Sequence, residues 1–124
     1  MNQDIAAGQT VLGTATMVQL YAGEAPIITN DYEIAADVTP VKYGVYALDA
    51  TGKVIVWDPA GTAPATIPRV IASQAGVAGD RIAFFEGGFF NHAALTWPAA
   101  LTTFEQRRAA FATNGTIKIG RLVG

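Results

Sequence analysis

Short runs of large apolar and β-branched residues alternate along this chain with breaks rich in Gly, Pro and Asp. Only near the C-terminus does the apolar spacing turn helical. Met1–Gly8 reads as a loose terminus. Thr10–Ala22 mixes Val11, Leu12, Met17, Val18, Leu20 and Tyr21 with Thr, Gly and Gln. It reads as β, because Thr and Val are branched at Cβ and Gly13 would weaken a helix. Pro26-Ile27-Ile28-Thr29 predicts a short extended segment ahead of the acidic stretch Asn30–Asp37. Val41–Leu48 and Lys53–Trp57 predict a hairpin joined by Asp49-Ala50-Thr51-Gly52, with Asp first and Gly fourth as a type I turn favours.

Asp58–Pro68 carries Pro59, Gly61, Pro64 and Pro68 and reads as loop. Arg69–Ala72 and Arg81–Phe85 are predicted strands, and Gly87-Gly88 is expected to break the chain before Phe89-Phe90. Thr102 with Glu105 three residues later predicts a capping box at a helix start. Phe104, Arg108 and Phe111 would share a helix face, Asn114-Gly115 would end the helix, and Thr116–Val123 would close as a strand. The expectation is a mainly β domain with a small α component, one helix in its C-terminal region and an extended N-terminal arm. There is no internal repeat, heptad array or clear linker.

Composition narrows the function class more than the fold. The 124 residues suit one domain. Of its 51% apolar residues 23 are Ala, which leaves 40 large side chains, enough for one modest core. Charged residues make up only 15%, so much of the folded surface is neutral and suits cover by a partner. With no Cys, thiolate metal sites, disulfides and a cysteine nucleophile are excluded. Neither Ile5–Gly23 nor Gly87–Phe104 offers the ~20 apolar residues of a membrane span. No Lys or Arg precedes Lys42, so the basic start of a signal peptide is missing. A soluble protein that is not exported is expected, with no membrane partner.

The net charge of −2 is unevenly placed. Residues 1–40 hold five acids and no base, whereas residues 41–124 hold eight Lys and Arg against five acids. An acidic N-terminal third argues against nucleic acid as a partner, which needs cations to displace phosphate counterions. Arg107-Arg108 is the one adjacent basic pair and reads as a solvated helix face. Candidate chemistry is thin. Ser73 lies in Ala72-Ser73-Gln74-Ala75, not in a nucleophile elbow, and His92 has no second His or Cys to share a metal. Gly52-Lys53 is followed by Val54 where a phosphate-binding loop needs Ser or Thr. No catalytic residue, cofactor site or metal site is nominated, and the expectation is a protein that is not an enzyme. Phe84, Phe85, Phe89, Phe90, Trp57 and Trp97 are read as core or interface packing rather than as stacking platforms for bases.

From Val38 onward the order of features is familiar. Val38-Thr39-Pro40 leads to Lys53-Val54-Ile55-Val56-Trp57-Asp58, then a Gly/Pro/Ala-rich loop, then Val70-Ile71-Ala72 and Arg81-Ile82-Ala83-Phe84-Phe85. Gly87-Gly88-Phe89-Phe90 and Leu95-Thr96-Trp97-Pro98 follow, then Arg108-Ala109-Ala110-Phe111-Ala112 and Thr116–Ile119. In order and spacing this resembles the lambdoid phage head decoration proteins. The resemblance implies a β-clip-like domain over residues 38–124 preceded by a capsid-binding arm over residues 1–37. It further implies a homotrimer on the outer surface of the expanded head, made in the host cytoplasm, with the major capsid protein as partner. Such a trimer would stabilise the head against the pressure of packaged DNA.

The residues fit that role in their own terms. Val11, Leu12, Met17, Val18, Leu20 and Tyr21 are the expected capsid contacts, pairing with a sheet edge of the shell. The other possibility is that this segment completes the domain's own sheet. Burying five or six large apolar side chains contributes on the order of 10 kcal/mol gross, at ~1.5–3 each. Ordering a dozen residues costs a comparable ~1–2 kcal/mol per residue. One arm alone would therefore bind marginally, and three on a trimer would bind firmly. Trp57 is expected as a core anchor, and Trp97-Pro98 as the corner leading into the helix. The alternative function is another β-rich phage or bacterial binding module, such as a tail or fibre component or a carbohydrate-binding domain. Trp57, Trp97, Tyr43 and Tyr46 would form a sugar platform if exposed together.

Overall fold

The computed structural model describes residues 19–122. They form six strands, β1 (Ile28–Glu33), β2 (Val45–Leu48), β3 (Val54–Val56), β4 (Val70–Ala72), β5 (Arg81–Asn91) and β6 (Ile117–Gly120). A 3₁₀ turn at His92–Ala94 and one helix, α1 (Phe104–Ala110), lie between β5 and β6. The fold is mainly β, with a single helix near the C-terminus, as the pattern of short apolar runs implies. The sheet order is β1-β5-β4-β2-β3, antiparallel throughout, and β6 adds to β5 in parallel.

Side-chain alternation divides the core between the two faces of the sheet. Val70 and Ala72 of β4, Val54 of β3 and Phe84 of β5 bury on one face with Ile34, Val38 and Leu48. Ile71, Val45, Ala47 and Phe90 bury on the other with Trp57, Leu95, Phe111, Ile117 and Ile119. All three residues of β4 are buried, because this strand is interior to the sheet and both its faces are covered. That double cover explains why the apolar runs are nearly continuous in places.

The β2–β3 hairpin forms where the sequence predicts it, with strands shorter than Val41–Leu48 and Lys53–Trp57. Gly52 N–H donates to Asp49 O at 3.0 Å, with Gly52 at φ +90°. The Asp49 carboxylate accepts from Thr51 N–H, Thr51 Oγ1 and Lys53 N–H, and these bonds hold its pKa below the usual aspartate value. Four sequence expectations are corrected. Strand β1 runs through the acidic stretch to Glu33, where Arg81 and Lys53 sit against its carboxylates. Gly87-Gly88 does not break the chain, and β5 continues through both to Asn91. The pair serves close packing. A Cβ on Gly87 would meet the Ile28 side chain at 2.9 Å, and Gly88 sits at φ +143° against the Phe90 ring. The helix cap is Thr103 with Gln106, one residue later than predicted. The Gln106 amide oxygen takes both Thr102 N–H and Thr103 N–H, which fixes the start there. The closing strand is shorter than Thr116–Val123, spanning Ile117–Gly120.

Register also explains one side-chain position. Ile28 pairs with Gly87 and Thr29 with Phe85, so Glu86 is the extra residue of a β-bulge. Its carboxylate accepts from Tyr32 O–H and Asn30 Nδ2 across the strand pair.

Candidate functional site

The far end of β5 gathers both ends of the described chain. Residues 19–22 run antiparallel along one edge of β5, with a bridge between Tyr21 and Phe90. Asn91 N–H donates to Leu20 O at 2.7 Å, and Ala22 N–H to Phe89 O at 3.0 Å. Asn91, a buried polar side chain, also donates from Nδ2 to Gln19 O at 2.8 Å. On the opposite edge β6 pairs Ile119 with Phe90 and Gly120 with Asn91. The two flanking segments close on each other here, since a Cβ built on Gly120 would lie 3.3 Å from Ala22 Cβ.

Phe89 locks this arrangement. Gly120 passes so close to its ring that a Cβ there would lie 2.2 Å from Cε1, and a Cβ on Gly23 would lie 3.0 Å from Cδ2. Tyr21 packs on Phe90 at 5.5 Å and edge-on to Phe85 at 6.4 Å. Burial, then the nearby Tyr43, raises the Tyr21 pKa.

Beside Phe89 lies a groove of about 510 Å³ between α1 and β6. Phe104, Arg108, Lys118 and Arg121 line it. The Arg108 and Arg121 guanidiniums both stack on Phe104, at 5.1 and 4.9 Å from its centroid. Behind Phe104, His92 sits 5.0 Å from the same ring, and its Nδ1 lies 3.0 Å from Arg107 Nη1. Arginine only donates, so Nδ1 accepts and the imidazole is neutral with its proton on Nε2. Burial first, then Arg107 and Arg121, lowers the His92 pKa in agreement. Arg107 is held further by Leu101 O and by the face of Trp97.

The nine singled-out residues fall in three places. Val11, Leu12, Met17 and Val18 lie outside the described residues. Leu20 and Tyr21 are half-buried and pack on the domain's own core beside Phe90. Trp57 is buried, with Nε1 donating to Thr66 O, and meets Trp97 edge-on at 6.0 Å. Trp97 is half-buried and donates to His92 O. Pro98 O accepts from Leu101 N–H in the turn before Thr103. The Trp57 and Trp97 rings thus pack on each other and on Phe111 rather than opening side by side as a sugar platform.

Sequence reasoning did not nominate Asn91, Lys118, Arg121 or the role of Phe104. Phe104, Arg108 and Phe111 at i, i+4 and i+7 are the local signal of the groove. Ser73 and His92 are engaged separately, Ser73 Oγ donating to Ala83 O and His92 facing Arg107. Among the described residues no three acidic or His side chains gather as a metal site, and no helix is long and apolar enough to cross a membrane. The arrangement suits binding: a cationic, aromatic groove beside the strand where the N-terminal segment joins the body.

No curated protein matches the chain. The family model described as Bacteriophage lambda head decoration protein D matches residues 2–119. That match takes in the N-terminal segment, the helix and all of the sheet but the last residue of β6, and its family is one of structural capsid proteins rather than enzymes. The chain belongs to the bacteriophage lambda head decoration protein family.

Proposed function

We propose that this protein binds the outer surface of the expanded phage head as a homotrimer, through the major capsid protein, and stabilises the head against the pressure of packaged DNA. The observation that carries the reading is the family match across residues 2–119. The geometry supports it: residues 1–18 join the body at Gln19, where Asn91 and β5 anchor the chain that follows. In this reading Val11, Leu12, Met17 and Val18 supply the capsid contact of the arm, while Leu20 and Tyr21 secure the arm's base to the body. The rest of the segment assigned to the arm, residues 23–37, contributes β1 and Ile34 to the body. The 38–124 unit is then a β-clip-type domain completed by that segment.

A clamp of this kind works mechanically rather than chemically. A trimer over a three-fold position touches several capsid subunits at once, so separating any pair of them means breaking its contacts. Weak single contacts sum because the second and third bind at high effective concentration. No catalytic group is required, and the protein is not an enzyme in this reading. Its place is the virion, on the outer surface of the head, after synthesis in the host cytoplasm.

The test is co-sedimentation with expanded, undecorated shells of its own phage, with sedimentation equilibrium of the free protein alongside. Saturable binding by a trimeric species is expected, weakened by Val11→Asp/Leu12→Asp. No binding at saturating protein would reject the decoration role. Unchanged binding by the variant would move the contact away from the arm.

A further inference from the structure

We propose that the groove between α1 and β6 is a second contact with the shell, and that it takes a carboxylate-bearing segment of the capsid surface. The inference rests on the decoration reading and names a surface and a chemistry that reading leaves open.

Three observations carry it. First, the cations are uncompensated. Arg108, Lys118 and Arg121 are all exposed and line one groove, and no ion pair among the described residues involves any of them. The ion pairs that do occur are elsewhere, between Lys53 or Arg81 and the β1 carboxylates. Second, two of the three are held in place. Arg108 and Arg121 stack on Phe104 from different elements, one from α1 and one from just beyond β6. A guanidinium resting on an aromatic ring keeps its N–H fork free for a carboxylate and loses less freedom on binding it. Third, the groove is continuous with the base of the arm. Phe89 lines the groove and accepts, through its carbonyl, the N–H of Ala22 in the segment that leads back to residues 1–18. An arm engaged on the shell therefore brings this end of β5 to the shell as well.

An acidic partner is the occupant these features favour. The groove lining contains no carboxylate, so an acidic segment meets no like charge there. The carboxylate three residues before Arg108, Glu105, is exposed and lies outside the lining. The pairs formed at its rim would be salt-sensitive, as surface electrostatics are.

The experiment measures shell affinity by co-sedimentation of the full-length chain at about 0.05 and about 0.5 M salt. Wild type is compared with R108Q/R121Q, R108K/R121K and K53Q, the last at the β2–β3 turn. The expected result is at least about a tenfold loss for R108Q/R121Q at low salt, with a flattened salt dependence. R108K/R121K, which keeps the charge, should lose less, and K53Q should bind as wild type. Thermal melting accompanies each variant, so that the Lys pair still reports on charge if the Gln pair is unfolded. Equal affinity and equal salt dependence for wild type and R108Q/R121Q would overturn the inference while leaving the decoration role standing. So would loss of self-association by R108Q/R121Q without salt-dependent shell contact, which would make the groove a contact between copies. Failure of wild type to bind the shell would reject the decoration role itself.

Discussion

Gly120 shows how little room one position allows. A methyl group there would meet the Phe89 ring at 2.2 Å and Ala22 Cβ at 3.3 Å, and Gly23 closes in the other edge of the ring. Gly120→Ala is expected to destabilise the fold by about 1–3 kcal/mol, the cost of overpacking a site that cannot relax. Gly115→Ala, where a Cβ would meet nothing within 4 Å, should change stability by less than about 0.5 kcal/mol. Chemical denaturation of the two variants measures the difference. Tyr32 gives a pH signature. Its O–H donates to Glu86, and that bond, with burial and the Glu86 charge, pushes its pKa from 10.0 up to about 12. A raised folded pKa means that the unfolded chain ionises first. The stabilisation is therefore complete below pH 10.0 and is lost as pH rises toward about 12. Tyr32→Phe should cost about 1 kcal/mol at neutral pH. The variant should also lose stability less steeply than wild type across that alkaline window, which denaturation at a series of pH values measures.

Elements were legible where local chemistry decides them and less so where packing does. The β2–β3 hairpin followed from Asp49 and Gly52, since both act within four residues of each other. Gly87-Gly88 reads as a break because glycine usually is one. In the fold Gly87 makes room for Ile28, met only across the strand pair, and Gly88, at φ +143°, for the ring of Phe90 two residues on. Strand β1 was hidden by Asp31 and Glu33, whose charges are matched by Arg81 on the adjoining strand. The cationic groove is equally hidden, because its members come from residues 89–121 and of its cations only Arg108 stands at helical spacing with Phe104 and Phe111. The helix cap distinguishes two adjacent threonines. Thr103→Ala removes the side-chain oxygen that accepts Gln106 N–H and should cost about 1 kcal/mol. Thr102→Ala should change stability by less than about 0.5 kcal/mol, so thermal melts of the pair check the observed register of α1.

At the scale of the whole molecule, charge and chain direction follow β5. Its first residue, Arg81, sits among Asp31 and Glu33, while its last, Asn91, lies where residues 19–22 and β6 converge beside Arg108, Lys118 and Arg121. Ten residue steps along a strand that a bulge interrupts separate them, at most about 33 Å. The molecule therefore has an acidic-paired end and a cationic end, and the N-terminal segment joins at the cationic one. The proposed clamp needs one end committed to the shell and the other free, and this polarity fits it. Strengthening of the head by the proposed clamp is measured by heating DNA-filled, undecorated heads of the same phage with increasing amounts of this protein and following DNA release. The expected result is a release temperature that climbs with occupancy and levels off when the shell is saturated. An unchanged release temperature on heads shown to be fully decorated would contradict it.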